Sequence, residues 1–198
     1  MLHHSLSDCV DLTVLAYSGG IILAYLLIGF VLVILLFVLV TAVGNLAIQV
    51  PFVPTARKVA EEMVRFADLK GTETVYDLGA GDGRILIAAK RLHPHIRAIG
   101  WEFVPTVWLL GKLRIWWSKQ DVSLRRGNAL TQDVRDADCI FLYLFPEAMA
   151  LLEAKFDREL KPGTKVLSYV FQFPNRTPVA QKSVPWMGKT RMLRLYEW

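Results

Sequence analysis

The first 56 residues contain no lysine or arginine, and from Leu12 to Ala56 there is no charged side chain of either sign. Asp8 and Asp11 are the only charges ahead of Arg57. A secretory signal peptide needs a basic n-region and an apolar stretch of about 7–15 residues. The basic residues are missing here and the apolar stretch is far longer. A core helix of a soluble protein is usually apolar along one stripe. Ile21–Val43, IILAYLLIGFVLVILLFVLVTAV, is apolar on every face, broken only by Gly29 and Thr41. As a helix at about 1.5 Å per residue it reaches roughly 34 Å, against a hydrocarbon core of about 30 Å. The expected organisation is an N-terminal segment over 1–20, one transmembrane helix over 21–43, a juxtamembrane linker over 44–56 and a domain over 57–198.

All 23 lysines and arginines lie from Arg57 onward, and so do all acidic residues but Asp8 and Asp11, an excess of seven basic groups. The positive-inside rule then puts the N-terminus outside and the domain on the cytosolic, or topologically equivalent, side. A basic excess suits an anionic membrane surface or an RNA, and equally a solvated face with no partner. Cysteine is scarce. Cys9 and Cys139 cannot make a metal site between them, and they fall on opposite sides of the expected membrane, so neither a metal centre nor a disulfide is expected. Internal repeats and low-complexity tracts are absent.

Beyond the linker, apolar periodicity alternates between strand and helix. Thr55 is a suitable N-cap for a helix whose apolar face is Val59, Met63, Phe66 and Leu69, with Gly71 to end it. TVYDL, IRAIGWEF, VSLRRGN, ADCIFLYLF and TKVLSYVFQF read as strands. GRILIAAKRL, PTVWLLGKLRIWWSK and PEAMALLEAKFDREL read as the helices between them. This pattern predicts an α/β fold: a mostly parallel sheet with helices on both faces. After Pro178 there is no room for a crossover helix, so the last strand, KTRMLRLYEW, is expected to pair antiparallel. Trp108, Trp116 and Trp117 among Lys112, Arg114 and Lys119 would suit a bilayer interface. A helix covering a sheet face is also rich in Trp and Leu, and that is the expectation here.

The loop after the first strand is defined by what it does not have. A dinucleotide fingerprint, G-x-G-x-x-G, needs a third glycine where this chain has Arg84, and a Walker loop needs a G-K-[ST] ending that is absent. The loop is therefore not shaped for a pyrophosphate, and NAD is the weaker alternative. What stands here is D-x-G-x-G-x-G, with Asp77, Gly79, Gly81 and Gly83. A carboxylate at the strand end is wrong for an anion and right for a ligand carrying an amino group and a sulfonium. Glu102 ends the second strand, about 25 residues on, where a carboxylate can accept hydrogen bonds from two ribose hydroxyls. Asn128, followed by Ala129, ends the third strand, where it can meet an adenine edge. A lone Glu or Asn at a strand end is usually just solvated. Three such groups at three successive strand tips form a pattern.

Those residues resemble the cofactor half of the class I S-adenosylmethionine-dependent methyltransferases, which have a Rossmann-like fold. The segments PFVPT, DLGAGDGRI, GWEFVP, YLFPEAM and FQFP, placed after an apolar anchor, are more closely similar to a smaller group. These are the membrane-anchored protein-lysine methyltransferases, including the mitochondrial enzymes that modify the adenine nucleotide translocase and the ATP synthase c-subunit. This chain is shorter than the eukaryotic members. The resemblance implies S-adenosylmethionine as cofactor, held by Thr55, Asp77, Gly79, Gly81, Gly83, Glu102, Asn128 and Ala129. It also implies a lysine of a membrane protein as substrate.

Methyl transfer from a sulfonium needs positioning and exclusion of water more than covalent help. A lysine nucleophile must be neutral, and burial among aromatic groups lowers its pKa. Tyr143 is the candidate to orient the amine and Glu147 to hydrogen-bond the incoming ammonium. Phe145 and Pro146 would shape the channel, with Phe173 or Arg176 at its entrance. The alternative is ordinary: a buried strand, and an acid favoured at a helix N-terminus. YLFP lacks the Asn/Asp-Pro-Pro-aromatic tetrad with which many enzymes grip a flipped base, so nucleic acid is not an expected partner. Two other functions fit the same residues. One is a methyltransferase for a lipid, quinone or other membrane-soluble molecule, which predicts a deep apolar pocket behind Tyr143. The other is a tethered cofactor-binding module without turnover.

Overall fold

The computed structural model describes residues 4–48, 53–186 and 188–198, so Pro51 and Phe52 of the linker lie outside the described residues. The chain forms two compact units, Met1–Val43 and Gly44–Trp198. Helix α1, His4–Ile48, makes up the first unit and continues past its end at Val43. Its segment Gly19–Val40 is long and apolar enough to cross a membrane, and its large side chains from Ile21 to Val40 are exposed.

The second unit carries a seven-stranded sheet. In chain order its elements are α2 (Arg57–Phe66), β1 (Thr74–Leu78), α3 (Arg84–Leu92), β2 (Arg97–Glu102), α4 (Pro105–Ser118) and β3 (Val122–Arg126). After these come a 3-10 turn Ala129–Thr131, β4 (Cys139–Leu142), α5 (Pro146–Glu159), β5 (Lys165–Tyr169), β6 (Ala180–Trp186) and β7 (Lys189–Glu197). The order across the sheet is β3-β2-β1-β4-β5-β7-β6. Strands β1 to β5 are parallel, β7 runs antiparallel between β5 and β6, and this is the Rossmann-like α/β arrangement the sequence predicts.

Alternation along β1 divides the core. Val75 joins the cluster under α2 and α3, with Met63, Val64, Leu86 and Phe141. Tyr76 and Leu78 point to the opposite face, where Met149, Leu152 and Phe156 of α5 pack. Successive side chains of a strand leave on opposite faces, so a buried strand serves two cores at once. The direction of strand succession reverses between β1 and β4. That reversal opens the crevice at the carboxyl edge where ligands of open α/β sheets bind.

Four details depart from the sequence reading. Thr55 does not cap α2: the N-cap is Ala56, with no side-chain hydrogen bond, and Thr55 is buried with its carbonyl accepting from Arg84. The helix ends at Phe66, before Leu69, because Asp68 takes the left-handed turn at φ +50 that Gly71 was expected to supply. Leu69 is still buried, beyond the helix. β6 is not among the strands expected from sequence; Lys182 and Pro185 make AQKSVPW a poor strand by composition. Its pairing with β7 from Ala180↔Leu195 to Trp186↔Lys189 defines it.

The fourth departure is α4. Val107, Gly111 and Ile115 do cover the sheet and the glycine loop. Trp108 is half-buried and donates its Nε1–H to the Leu124 carbonyl at 3.3 Å. But Trp116 is 76% exposed and Trp117 83%, so the helix is apolar on its outer face as well.

Candidate active site

The turn after β1 is built from glycines in backbone states closed to most residues. Gly79, Gly81 and Gly83 have φ of +81, +56 and +75. At Gly79 a Cβ would also stand 2.7 Å from the Leu144 Cδ2 methyl, which would have to turn aside. The loop is held open by β2. The Gly79 and Ala80 N–H groups donate to the Trp101 carbonyl at 3.0 and 2.9 Å. Glu102 then accepts from the Gly81 N–H at 2.9 Å through one carboxylate oxygen and from the Val104 N–H at 2.8 Å through the other. Burial raises the pKa of Glu102, and those backbone donors oppose the rise.

Beneath the loop lies Asp77, almost completely buried. Its Oδ2 has no hydrogen-bond partner among the described residues. Burial first, then the charges of Glu102 and Asp82, push its carboxyl up to about 8. An orphaned acid at the foot of a cavity is a destabilising feature on its own. It becomes favourable beside a cation.

Arg84 fills the place of the missing third glycine with a positive function. Its guanidinium grips Asp82 at 2.5 and 2.8 Å and donates to the carbonyl of Thr55. Arg114 of α4 reaches the same Asp82 carboxylate at 3.1 Å. One buried acid thus ties together the loop, the segment before α2 and α4. The sequence reading used Arg84 only to exclude a dinucleotide. The D-G-R run was the available signal.

The loop faces a cavity of about 650 Å³. Of the residues singled out from sequence, Thr55, Gly79, Gly81, Glu102, Asn128, Ala129, Tyr143, Phe145 and Glu147 line it. Asp77 and Gly83 sit behind that surface, and Pro146 opens α5 without lining it. Asn128 has a local duty the sequence did not announce: its Oδ1 accepts from the Leu130 N–H at 2.9 Å and caps the 3-10 turn.

Opposite the loop stands an aromatic wall. Tyr143 packs on Tyr169 at 4.7 Å between ring centroids and lies 6.4 Å from Phe171, which stacks on Phe145 at 5.3 Å. Burial raises the pKa of both tyrosines, that of Tyr169 to about 12. Phe171 is a cavity residue the sequence reading passed over in favour of Phe173.

Phe173 has to be corrected. It lies in the core under α5, packed on Phe156, Tyr196 and Trp198. Arg176 is also elsewhere, over the Trp198 ring at 4.0 Å and paired with Asp157 at 2.7 Å. In a continuous strand residues 171 and 173 would share a face. Here the chain leaves the sheet at Tyr169 through a tight turn centred on Val170. Its φ is +72, and the Phe171 N–H closes back on the Tyr169 carbonyl at 2.9 Å. A β-branched residue in that region is strained, on the order of 1–3 kcal/mol. Three bonds hold it: Val170 N–H to the Met192 carbonyl at 2.9 Å, Arg194 to the Val170 carbonyl at 2.6 Å, and the Ser168 hydroxyl to the Phe171 carbonyl. The turn delivers Phe171 to the cavity and Phe173 to the core.

This arrangement has counterparts. The family model described as the ANTKMT methyltransferase domain matches residues 77–180. A protein-lysine N-methyltransferase of Saccharolobus islandicus is 34% identical over 66% of this chain and 82% of its own length. The chain belongs to the ANTKMT methyltransferase family. The mouse adenine nucleotide translocase lysine N-methyltransferase is 34% identical over 68% of this chain, which spans 59% of that enzyme. A solved structure, an RNA methyltransferase from Salinibacter ruber in complex with S-adenosylhomocysteine, superposes with a TM-score of 0.66. It is 31% identical and covers 73% of this chain and 93% of its own. This ANTKMT-family protein is an S-adenosylmethionine-dependent methyltransferase. The site suits the cofactor: the orphaned Asp77 carboxylate favours a cationic ligand, and Glu102 has further lone pairs for hydroxyl donors.

Proposed function

We propose that the chain methylates the ε-amino group of a lysine in a membrane protein, held to the same bilayer by α1. The observation that carries this reading is the half-buried aromatic wall of Tyr143, Phe145 and Phe171 facing the glycine loop across one cavity. An amine entering between rings and loop loses water, which favours its neutral, nucleophilic form. The Tyr143 hydroxyl oxygen accepts one N–H of the amine and so leaves the amine lone pair free and aimed at the methyl group. Glu147, in the first turn of α5, attracts the ammonium at the cavity mouth, where its proton passes to solvent water before the neutral amine enters. Phe145 and Phe171 fix the direction of approach.

On the other side of the cavity, Asp77, Glu102, Asn128, Ala129 and Thr55 hold the cofactor, whose sulfonium supplies an electrophilic methyl group. The three glycines allow the backbone to lie against it. The exposed apolar surface of α1 supports a membrane-spanning role, with 44–56 as tether and the domain on the side favoured by Arg57, Lys58 and Arg65. Tethering raises the effective concentration of a membrane-confined substrate. Tyr143 is backed by the Tyr169 ring, which supports an amine channel over the deep apolar pocket a lipid or quinone would need.

The description of the Salinibacter ruber protein gives RNA a place as a second reading. The test is transfer of label from methyl-labelled S-adenosylmethionine to host membranes lacking this protein and then resupplied with it, followed by separation into protein, lipid and RNA. Label in a protein band, recovered as methyl-lysine and lost with Glu102→Ala, is the expected result. Label confined to lipid or RNA would replace the lysine reading. Bound cofactor without any transfer would leave a non-catalytic module.

A further inference from the structure

We propose that the outer face of α4 is a docking surface for an anionic lipid bilayer. Five large side chains stand on it in the open: Leu109, Leu110 and Leu113, each about half exposed, and the two tryptophans Trp116 and Trp117. At about 100° per residue they fall within an arc roughly 120° wide, so they form one stripe along the helix. The stripe is bracketed by cations. Lys112 lies along one edge and Arg114 along the other, with Lys119 just beyond the helix end, all exposed, and the helix holds no acidic residue. Arg114 keeps half of its side chain in solvent while bound to Asp82.

This composition selects the occupant. Tryptophan rings with an apolar body and one N–H settle at the headgroup boundary, and lysine or arginine beside them meets anionic headgroups. A second copy of the chain fits poorly. A two-fold contact would press the cations of one α4 against those of the other, with no carboxylate on either helix to neutralise them. The chain also has a helix apolar enough to bring a bilayer within reach. The inference rests on the anchored reading for that proximity alone.

The six tryptophans are Trp101, Trp108, Trp116, Trp117, Trp186 and Trp198, so none lies in α1 and emission reports on the domain only. The experiment reconstitutes the full chain into phosphatidylcholine vesicles with and without phosphatidylglycerol, their acyl chains brominated to quench indole. Trp116→Phe/Trp117→Phe assigns the signal. The expected result is quenching in the anionic vesicles that weakens in high salt, with most of it lost in the double variant. Absent quenching, or quenching that survives the double variant, overturns the proposal. So does a Trp116→Cys chain that crosslinks to its own copy in the same vesicles. Flotation of these samples tests the anchor separately: a chain that floats without quenching refutes docking alone, and one that fails to float refutes the anchor.

Discussion

Replacing Asp77 by asparagine should stabilise the free protein and weaken its hold on the cofactor. The folded state keeps the Asp77 proton up to about pH 8, whereas the ordinary aspartate value is 3.8. The folded chain therefore binds more protons than the unfolded one between those two values, and stability falls as pH rises through that window, then levels off. From 3.8 to pH 7 is about three units, so the penalty at pH 7 is roughly 4 kcal/mol at 1.4 kcal/mol per unit. Asparagine needs no such proton uptake on folding, but the amide group in place of the orphaned Oδ2 would still lack a partner, at a cost of about 1–3 kcal/mol. The net gain is about 1–3 kcal/mol, a rise in Tm of roughly 3–9 °C for a domain of this size.

Cofactor affinity should move the other way. If the proposed cofactor placement holds, removing this carboxylate from beside a cationic ligand costs about 1.5–3 kcal/mol, a ten- to hundredfold rise in Kd. Affinity of the native protein should also grow as pH rises toward 8, because a cationic ligand favours the ionised carboxyl, and the variant should lose that slope. Thermal melts of detergent-solubilised chain from pH 5 to 9, paired with calorimetric titration of S-adenosylmethionine, read both quantities. An asparagine variant that melts lower than native at pH 8, or binds the cofactor equally well, would refute the reasoning.

Glu102→Ala leaves the Gly81 and Val104 N–H groups unpaired, about 1–3 kcal/mol each, and should lower both Tm and cofactor affinity; Glu102→Gln, which can still accept one of those bonds, should restore part of each. Gly79→Ala combines the left-handed backbone cost of about 1–2 kcal/mol with a collision at Leu144, so melting and cofactor titration should both suffer. Gly163→Ala, at φ +86 with open space around it, should show the backbone cost only. Phe173→Ala should destabilise by about 3–5 kcal/mol as a core truncation, measured by denaturant unfolding. Phe171→Ala should unfold nearly as the native chain does while losing kcat/KM for the methyl acceptor, and equal unfolding penalties for the two would refute the separation drawn here.

Strands β1 to β5 and the glycine loop could be read from sequence because each is specified locally. Alternating apolar residues, a proline at the start of α4 and α5, and a carboxylate at the strand tip all act within a few residues. What escaped depends on distant partners. Thr55 has the right side chain for a cap, yet Arg84 claims its carbonyl and the helix starts later. β6 is a strand because β7 lies beside it. Phe171 and Phe173 are two residues apart, and only a turn braced by Met192 and Arg194 sends them to different places. The α4 stripe was visible as letters, but its outward direction followed from which side Gly111 packs against the Gly81 carbonyl.

On the proposed anchored reading, the strand order has a consequence for life in two dimensions. An open sheet ends in two strands with unpaired backbone groups, and proteins confined to a surface meet edge to edge far more often than in solution. Here the borders are β3 and β6. β3 ends in the exposed pair Arg125 and Arg126, while β6 carries the N–H-free Pro185 and Lys182, which is paired with Glu62. Like charges and a proline are the usual means of keeping a sheet from growing by addition of a neighbour's strand. The residues that make β6 hard to recognise as a strand are the ones that would keep an anchored copy from adding its edge to a neighbour's.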